Sequence, residues 1–398
     1  MEIKEVNFAG NYHHVLKSDN GTTTYNAPQW LDGNGDGLAT PNTTAADKNY
    51  PIAYTQNSKP VVGAKFKVAG LPSGQSVKIR ANSAQGLEIP ETSVSPLADG
   101  TITLQPTTAA SNLVHEIQCH NANDDTAFKI DWDINIANMG WTRIGSTQHT
   151  VYITMADPIK TAAGLMSETL FSIGCRNAKG LGIFGAGPQA VVDAIYNDFK
   201  DDRNVQKVIP GSGTLDGVGM KFWNSSATNA DSTTELLAAR DGRCGAWARL
   251  FIDVLRTQGI DAQMMGYYAP LVPQQNFIAD LQTYFPGSNR QYKEVFFVKS
   301  WTLEANPFAP TDNAGIEAQT KPNPQAYFAD HALVAYGGKL YDPSYGSNTF
   351  ASHQAWEDAT LDAFGAYMDV PLPSGSNVWI WKADQKGSTE TIAAPVNY

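Results

Sequence analysis

Charge is scarce in this chain. Asp, Glu, Lys and Arg make only 17% of its 398 residues, and the basic ones are the rarer, 28 against 39, leaving a net charge of −11. Proteins that grip phosphate backbones or anionic lipid present a basic face, so neither nucleic acid nor a membrane surface is an expected partner. No apolar run reaches the length of about 18 residues that spans a bilayer, and the start, MEIKEVNFAGNYHH, lacks the apolar stretch of a secretory signal. The chain as written is therefore expected to be soluble and unanchored, while its shortage of Lys and Arg beside abundant Thr, Asn and Gly suits an exported bacterial surface. Cysteine is scarce too: Cys119, Cys175 and Cys244 are an odd number, so at least one thiol stays free within one molecule. Zinc spacing is missing, since no Cys-x-x-Cys occurs and His13 and His14 are adjacent. No internal repeat is present.

Length exceeds a usual single domain, and the patterning changes along it. Residues 1–58 hold no sustained period and many turn clusters, so they read as an irregular extension with short strands. Residues 59–157 alternate with period 2, most clearly at Phe128, Ile130, Trp132, Ile134 and Ile136 against Lys129, Asp131, Asp133 and Asn135. One buried and one wet face, repeated in about six strands, predicts a β-sandwich of immunoglobulin-like size. From 158 to 398 helical signals come first, at 167–180, at 188–202 and at 235–240 behind the capping box Ser232-Thr233-Thr234-Glu235, and strand-like runs follow at 261–268, 294–301 and 331–336, which predicts an α+β domain. A Pro- and Gln-rich loop at 270–290 and a second long loop at 302–328 interrupt it.

The tract Asp32-Gly33-Asn34-Gly35-Asp36-Gly37 matches the first half of a calcium loop. Its twelfth position is Thr43 rather than a bidentate acid, and Asp47 reaches only in a different geometry, so a Ca2+ site on Asp32, Asn34 and Asp36 competes with a plain Asp/Gly turn.

The chemistry concentrates at three residues. Cys244 opens the segment CGAWARLFIDVLRT, whose Trp247, Leu250, Phe251, Val254 and Leu255 form one helical stripe. A helix N-terminus and the adjacent Arg243 both favour thiolate over thiol, although a single cysteine reads as readily as a buried structural one. The stretch HALVAYGGKLYDPS reads as two strands joined by Gly337-Gly338, the pair a type I′ hairpin prefers. In that register Tyr336 faces Lys339, Leu333 faces Asp342 and His331 faces Ser344. Asp342 then lies diagonal to His331 on one face, at roughly 7 Å or less between Cβ atoms. A carboxylate there orients the imidazole, and the other ring nitrogen is left to take the proton of Cys244. Each partner alone has a bland reading, as a satisfied histidine and as a turn initiator.

The segment ARDGRCGAWARLFIDVLRTQGIDAQMMGY, together with DHALVAYGGKLYDPSYG, resembles the transglutaminase-like superfamily, over about residues 160–350. The resemblance implies a papain-related α+β fold with Cys244 as nucleophile, His331 as general base and Asp342 as orienting acid. It also implies an oxyanion donor upstream of the cysteine, for which Trp223 and Asn224 are the candidates. Leu333 stands where many members carry an aromatic residue. The expected function is cysteine-dependent acyl transfer on a protein or peptide substrate, as a protease or amidase or as a transglutaminase, with no cofactor required. The alternatives are a thiol acyltransferase for small amines, an adhesion or binding protein with a vestigial triad, and a toxin or effector using the same chemistry.

Overall fold

Alternation dominates the first part of the chain, and in the computed structural model those alternating runs are strands. Residues 1–37, 47–113, 115–160, 166–182, 185–223, 230–269, 293–299, 315–322, 324, 327–369 and 378–383 are described. They group into two units, one of 1–195, 206–218 and 253–261, the other of 196–205, 219–252 and 262–398.

The first unit holds a five-stranded sheet in the order Lys48–Asn49, Trp30–Leu31, Glu2–Ala9, Val61–Lys67, Thr101–Thr108, and a four-stranded sheet in the order Trp141–His149, Phe128–Ile136, Val77–Asn82, Glu88–Val94. Val6, Phe8, Val62 and Phe66 from one and Ile79, Ile130, Trp132 and Ile134 from the other share one core, with the Phe66 and Trp132 rings edge to face at 5.3 Å. Residues 1–58 are not an irregular extension. Glu2–Ala9 pairs antiparallel with Val61–Lys67, and Ile52–Thr55 pairs in parallel with Val151–Thr154. A bulge between Ile3 and Glu5 breaks the period and hides the first of these strands from a reading of alternation. Nor does the helical part begin a new unit at 158. Helix α1 (Glu168–Asn177) groups with the sheets, its Phe171 ring 6.4 Å from Tyr152 and its Cys175 thiol donating to the Ile153 carbonyl at 3.5 Å. Helix α2 (Pro188–Lys200) starts at proline, as a first helical position allows.

The second unit is α+β. Helix α3 (Thr233–Ala239) has the full capping box, Ser232 accepting from the Glu235 N–H while Glu235 receives the Ser232 N–H, and it ends on left-handed Arg240. Helix α4 (Cys244–Thr257), of which Cys244–Ile252 group with this unit, carries the apolar stripe, and Gly259 follows it at φ 75°. Gln263–Tyr268, Asp330–Tyr336 and Lys339–Tyr341 form one antiparallel sheet; Tyr327–Phe328, Lys293–Val298, Leu361–Asp369 and Val378–Ala383 form another. A short helix, α5 (His353–Thr360), stands between Tyr341 and the strand at Leu361. The expected hairpin register holds: Tyr336 pairs with Lys339 and Val334 with Tyr341, and Gly337 and Gly338 have φ of 56° and 78°, both positive as a type I′ turn requires. Among the described residues no helix is long and apolar enough to cross a membrane.

Within the first unit, the start of α1 holds a buried acid. Glu168 accepts from the Gly211 N–H at 2.7 Å, the Gly213 N–H at 2.8 Å and the Tyr25 hydroxyl at 3.0 Å. Burial, with nearby Asp19 adding to it, nonetheless lifts its pKa from 4.5 to about 7 against those three donors. A carboxyl whose folded pKa is raised stabilises the fold fully below its unfolded value and less as pH rises through the folded one. Denaturant unfolding should therefore show this unit losing roughly 2–3 kcal/mol between about pH 4.5 and 8. That component should be missing in Glu168→Gln; an unchanged slope in the variant would contradict the assignment.

Candidate active site

Cys244 is placed by what precedes and follows it. The bridge Asp241–Gly242 pairs in parallel with Lys221–Phe222, and after the single residue Arg243 α4 starts at Cys244, so the thiol sits in the first turn, half-buried, where the helix N-terminus favours an anion. The same helix is anchored through aromatic rings. Phe251 lies 5.6 Å from Tyr341 and 5.4 Å from Tyr196, and Tyr196 lies 4.9 Å from Tyr341. The Tyr196 hydroxyl donates to the Asp342 carbonyl at 3.0 Å and accepts the Asp342 N–H at 3.1 Å. One cluster thus joins the cysteine helix to the strand that delivers the aspartate.

His331 and Asp342 have fully buried side chains and meet at 3.0 Å through Nε2 and Oδ2. The carboxylate is saturated. Oδ2 also accepts from Trp356 Nε1 at 3.1 Å, while Oδ1 accepts from the Ser344 hydroxyl at 2.8 Å and the Tyr345 N–H at 3.3 Å. Burial pushes the Asp342 carboxyl upward, but the His331 cation and these donors outweigh it and hold the pKa below the ordinary value. For His331, burial favours the neutral ring; Asp342, by charge and hydrogen bond, and then the Cys244 side chain outweigh it and raise the pKa. Phe328 stacks on the imidazole at 5.5 Å and Trp356 at 5.4 Å, with Tyr345 tilted at 5.4 Å, which leaves the ring little rotational freedom. Nδ1 is buried and makes no hydrogen bond in this geometry. The Cys244 side chain favours the imidazolium.

Trp223 is half-buried, between the Phe328 ring at 6.3 Å and the Arg243 guanidinium at 5.3 Å, and its N–H donates to the Gly242 carbonyl at 2.9 Å, two residues before the cysteine. Asn224 lies outside the described residues, as do 270–292 and 300–314, which hold most of the two long loops. In the tract Asp32–Gly37 the side chains hydrogen-bond within the loop. Asp32 accepts from the Gly35 and Gly37 N–H groups at 2.6 and 3.1 Å, with the Lys4 ammonium 3.7 Å away, and Asn34 donates to Asp36 at 3.0 Å. Among the described residues no three His, Cys, Asp or Glu side chains gather to hold a metal.

Reading the sequence missed Trp356, Tyr345 and Phe328, and it placed Ser344 opposite His331 without giving it a role. Only Ser352 signalled the first: it is the N-cap of α5, its hydroxyl accepting from the Ala355 N–H. Trp356→Phe keeps the stack on His331 but removes a buried N–H from the carboxylate. It should cost about 2 kcal/mol in chemical unfolding; a loss under about 0.5 kcal/mol would mean that the bond carries no weight.

Comparison with known families adds an independent line. No curated protein matches the chain. Residues 216–302, which include Cys244 and end before His331 and Asp342, match the family model of the transglutaminase-like superfamily. The helix with Cys244 in its first turn and the strand Gln263–Tyr268 after it thus lie in the stretch that is similar to the transglutaminase-like superfamily.

Proposed function

We propose that the protein is a cysteine-dependent acyl-transfer enzyme acting on peptide or side-chain amides, with Cys244 as nucleophile, His331 as acid and base and Asp342 as the group that orients and charges the histidine. The observation that carries this reading is the buried His331–Asp342 pair with the Cys244 side chain acting on the same ring. Proton transfer from thiol to Nδ1 would give a thiolate–imidazolium pair, with the imidazolium stabilised by the carboxylate behind it.

The thiolate attacks the amide carbon, a C–S bond forms and the carbonyl oxygen becomes a tetrahedral oxyanion. The C–N bond then breaks, and the leaving ammonia or amine takes the proton from His331, leaving a thioester on Cys244. His331, now neutral, removes a proton from the second nucleophile, which attacks the thioester carbon; the tetrahedral oxyanion collapses, the C–S bond breaks, and Cys244 is returned as thiolate beside the His331 imidazolium. Water yields a protease or amidase; a lysine or other amine yields a transglutaminase. Which acceptor wins depends on how far the closed site excludes water. The N-terminal sandwich, of immunoglobulin-like size, would act as recognition module or spacer, and protein or peptide is the substrate class. No step needs a metal.

Alkylation by iodoacetamide between pH 4 and 9 tests this directly. Burial, the largest influence, raises the thiol of Cys119 to about 11 and that of Cys175 further still, so neither competes at neutral pH. Labelling below pH 7 should be fast in the native chain, absent in Cys244→Ala and at least about tenfold slower in His331→Ala. Labelling that begins only above pH 8 and ignores the loss of His331 would transfer the lead to a binding protein with a vestigial triad.

A further inference from the structure

Trp223 has φ 39°, in the left-handed region where a bulky residue is strained by about 1–3 kcal/mol. Such a conformation persists only where neighbours fix it. On one side its N–H is held by the Gly242 carbonyl at 2.9 Å. On the other, its carbonyl accepts from the Lys321 ammonium at 2.5 Å.

Lys321 is itself delivered by a braced turn. Ala318 and Lys321 exchange backbone hydrogen bonds at 2.9 and 3.0 Å, and Thr320 between them is left-handed at φ 47°. Gln319, buried inside the turn, donates from its backbone to the Ser344 carbonyl at 3.0 Å and from its side chain to the Phe199 and Pro343 carbonyls at 2.6 and 2.9 Å. Its own carbonyl receives the Phe222 N–H at 2.9 Å. The turn is therefore fastened both to the segment that follows Asp342 and to the strand that leads into Trp223. Lys321 is half-buried; burial lowers its pKa below the ordinary lysine value, and the Asp241 carboxylate offsets part of that. An ammonium placed this way is part of the site's frame rather than a solvated surface charge.

We propose that Lys321 is a positioning residue for acyl transfer: its ammonium, bound to the Trp223 carbonyl, holds Trp223 in the left-handed conformation that keeps the indole between Arg243 and Phe328, where it stabilises the oxyanion formed at the Cys244 thioester. This role rests on the acyl-transfer reading of Cys244. It demands more than that reading does, because activation of the thiol depends on His331 and Asp342 and not on Lys321.

Two reagents separate the steps. Iodoacetamide alkylates a thiolate by displacing iodide from a saturated carbon, with no oxyanion. p-Nitrophenyl acetate acylates it through a tetrahedral oxyanion, forming the thioester and releasing p-nitrophenolate. In the full chain, Lys321→Met should alkylate within about twofold of native and acylate at least about tenfold more slowly, as loss of oxyanion support predicts. Lys321→Arg, which keeps a cationic donor, should recover most of that loss. Trp223→Phe should show the same selective defect and, combined with Lys321→Met, add little to it, which keeps the test decisive if one variant folds poorly. Acylation unchanged in Lys321→Met, or alkylation and acylation falling together without rescue by arginine, would overturn the role. A native chain that acylates no faster than Cys244→Ala would remove the acyl-transfer reading and this role together, an outcome visible before any Lys321 variant is made.

Discussion

The buried charge pair of His331 and Asp342 is the constraint around which the second unit is arranged. Taking a carboxylate and an imidazolium out of water costs several kcal/mol per ion, and their mutual attraction offsets this only when the remaining lone pairs and protons are also satisfied. Asp342 has no spare acceptor capacity: histidine, indole, hydroxyl and backbone N–H occupy its two oxygens. The imidazole has one spare nitrogen, buried and without a bond. The charge is thus fixed from one side and left open on the other, and that asymmetry is what a general base needs.

Much of the neighbouring structure makes sense as support for that arrangement. The aromatic cluster of Tyr196, Phe251 and Tyr341 ties the cysteine helix to the strand that delivers Asp342, so the two halves of the site cannot drift independently. Helix α5 exists within the site as one indole, which stacks on the imidazole and bonds the carboxylate. The strained backbone of Trp223 is restrained by Gly242 and Lys321, and its ring reaches the histidine through Phe328. Buried polar networks of this kind fix one geometry strongly when complete.

What the sequence conveyed was mostly local. Gly337-Gly338 set the hairpin register, and with it the juxtaposition of His331 and Asp342, because a two-residue turn leaves no freedom to slip. Ser232 and Glu235 announced the helix before the cysteine, and the apolar stripe behind Cys244 announced the helix it opens. The strand Glu2–Ala9 was hidden by its bulge, and α5 by its content: in HQAWEDAT the buried residues are Trp356, Glu357 and Thr360, which form no apolar stripe. Lys321 carried no signal, since its partner is a backbone carbonyl almost a hundred residues away. The segments that would choose between water and an amine fall largely outside the described residues.

The most direct measurement is the titration of the His331 ring by nuclear magnetic resonance, using ring-labelled histidine with His331→Gln to assign the signal. The account predicts an imidazolium throughout pH 6 to 8, with a pKa above the ordinary 6.5 that falls when Cys244 is replaced by alanine and falls further in Asp342→Asn. A ring that is neutral at pH 7 and indifferent to both substitutions would contradict it.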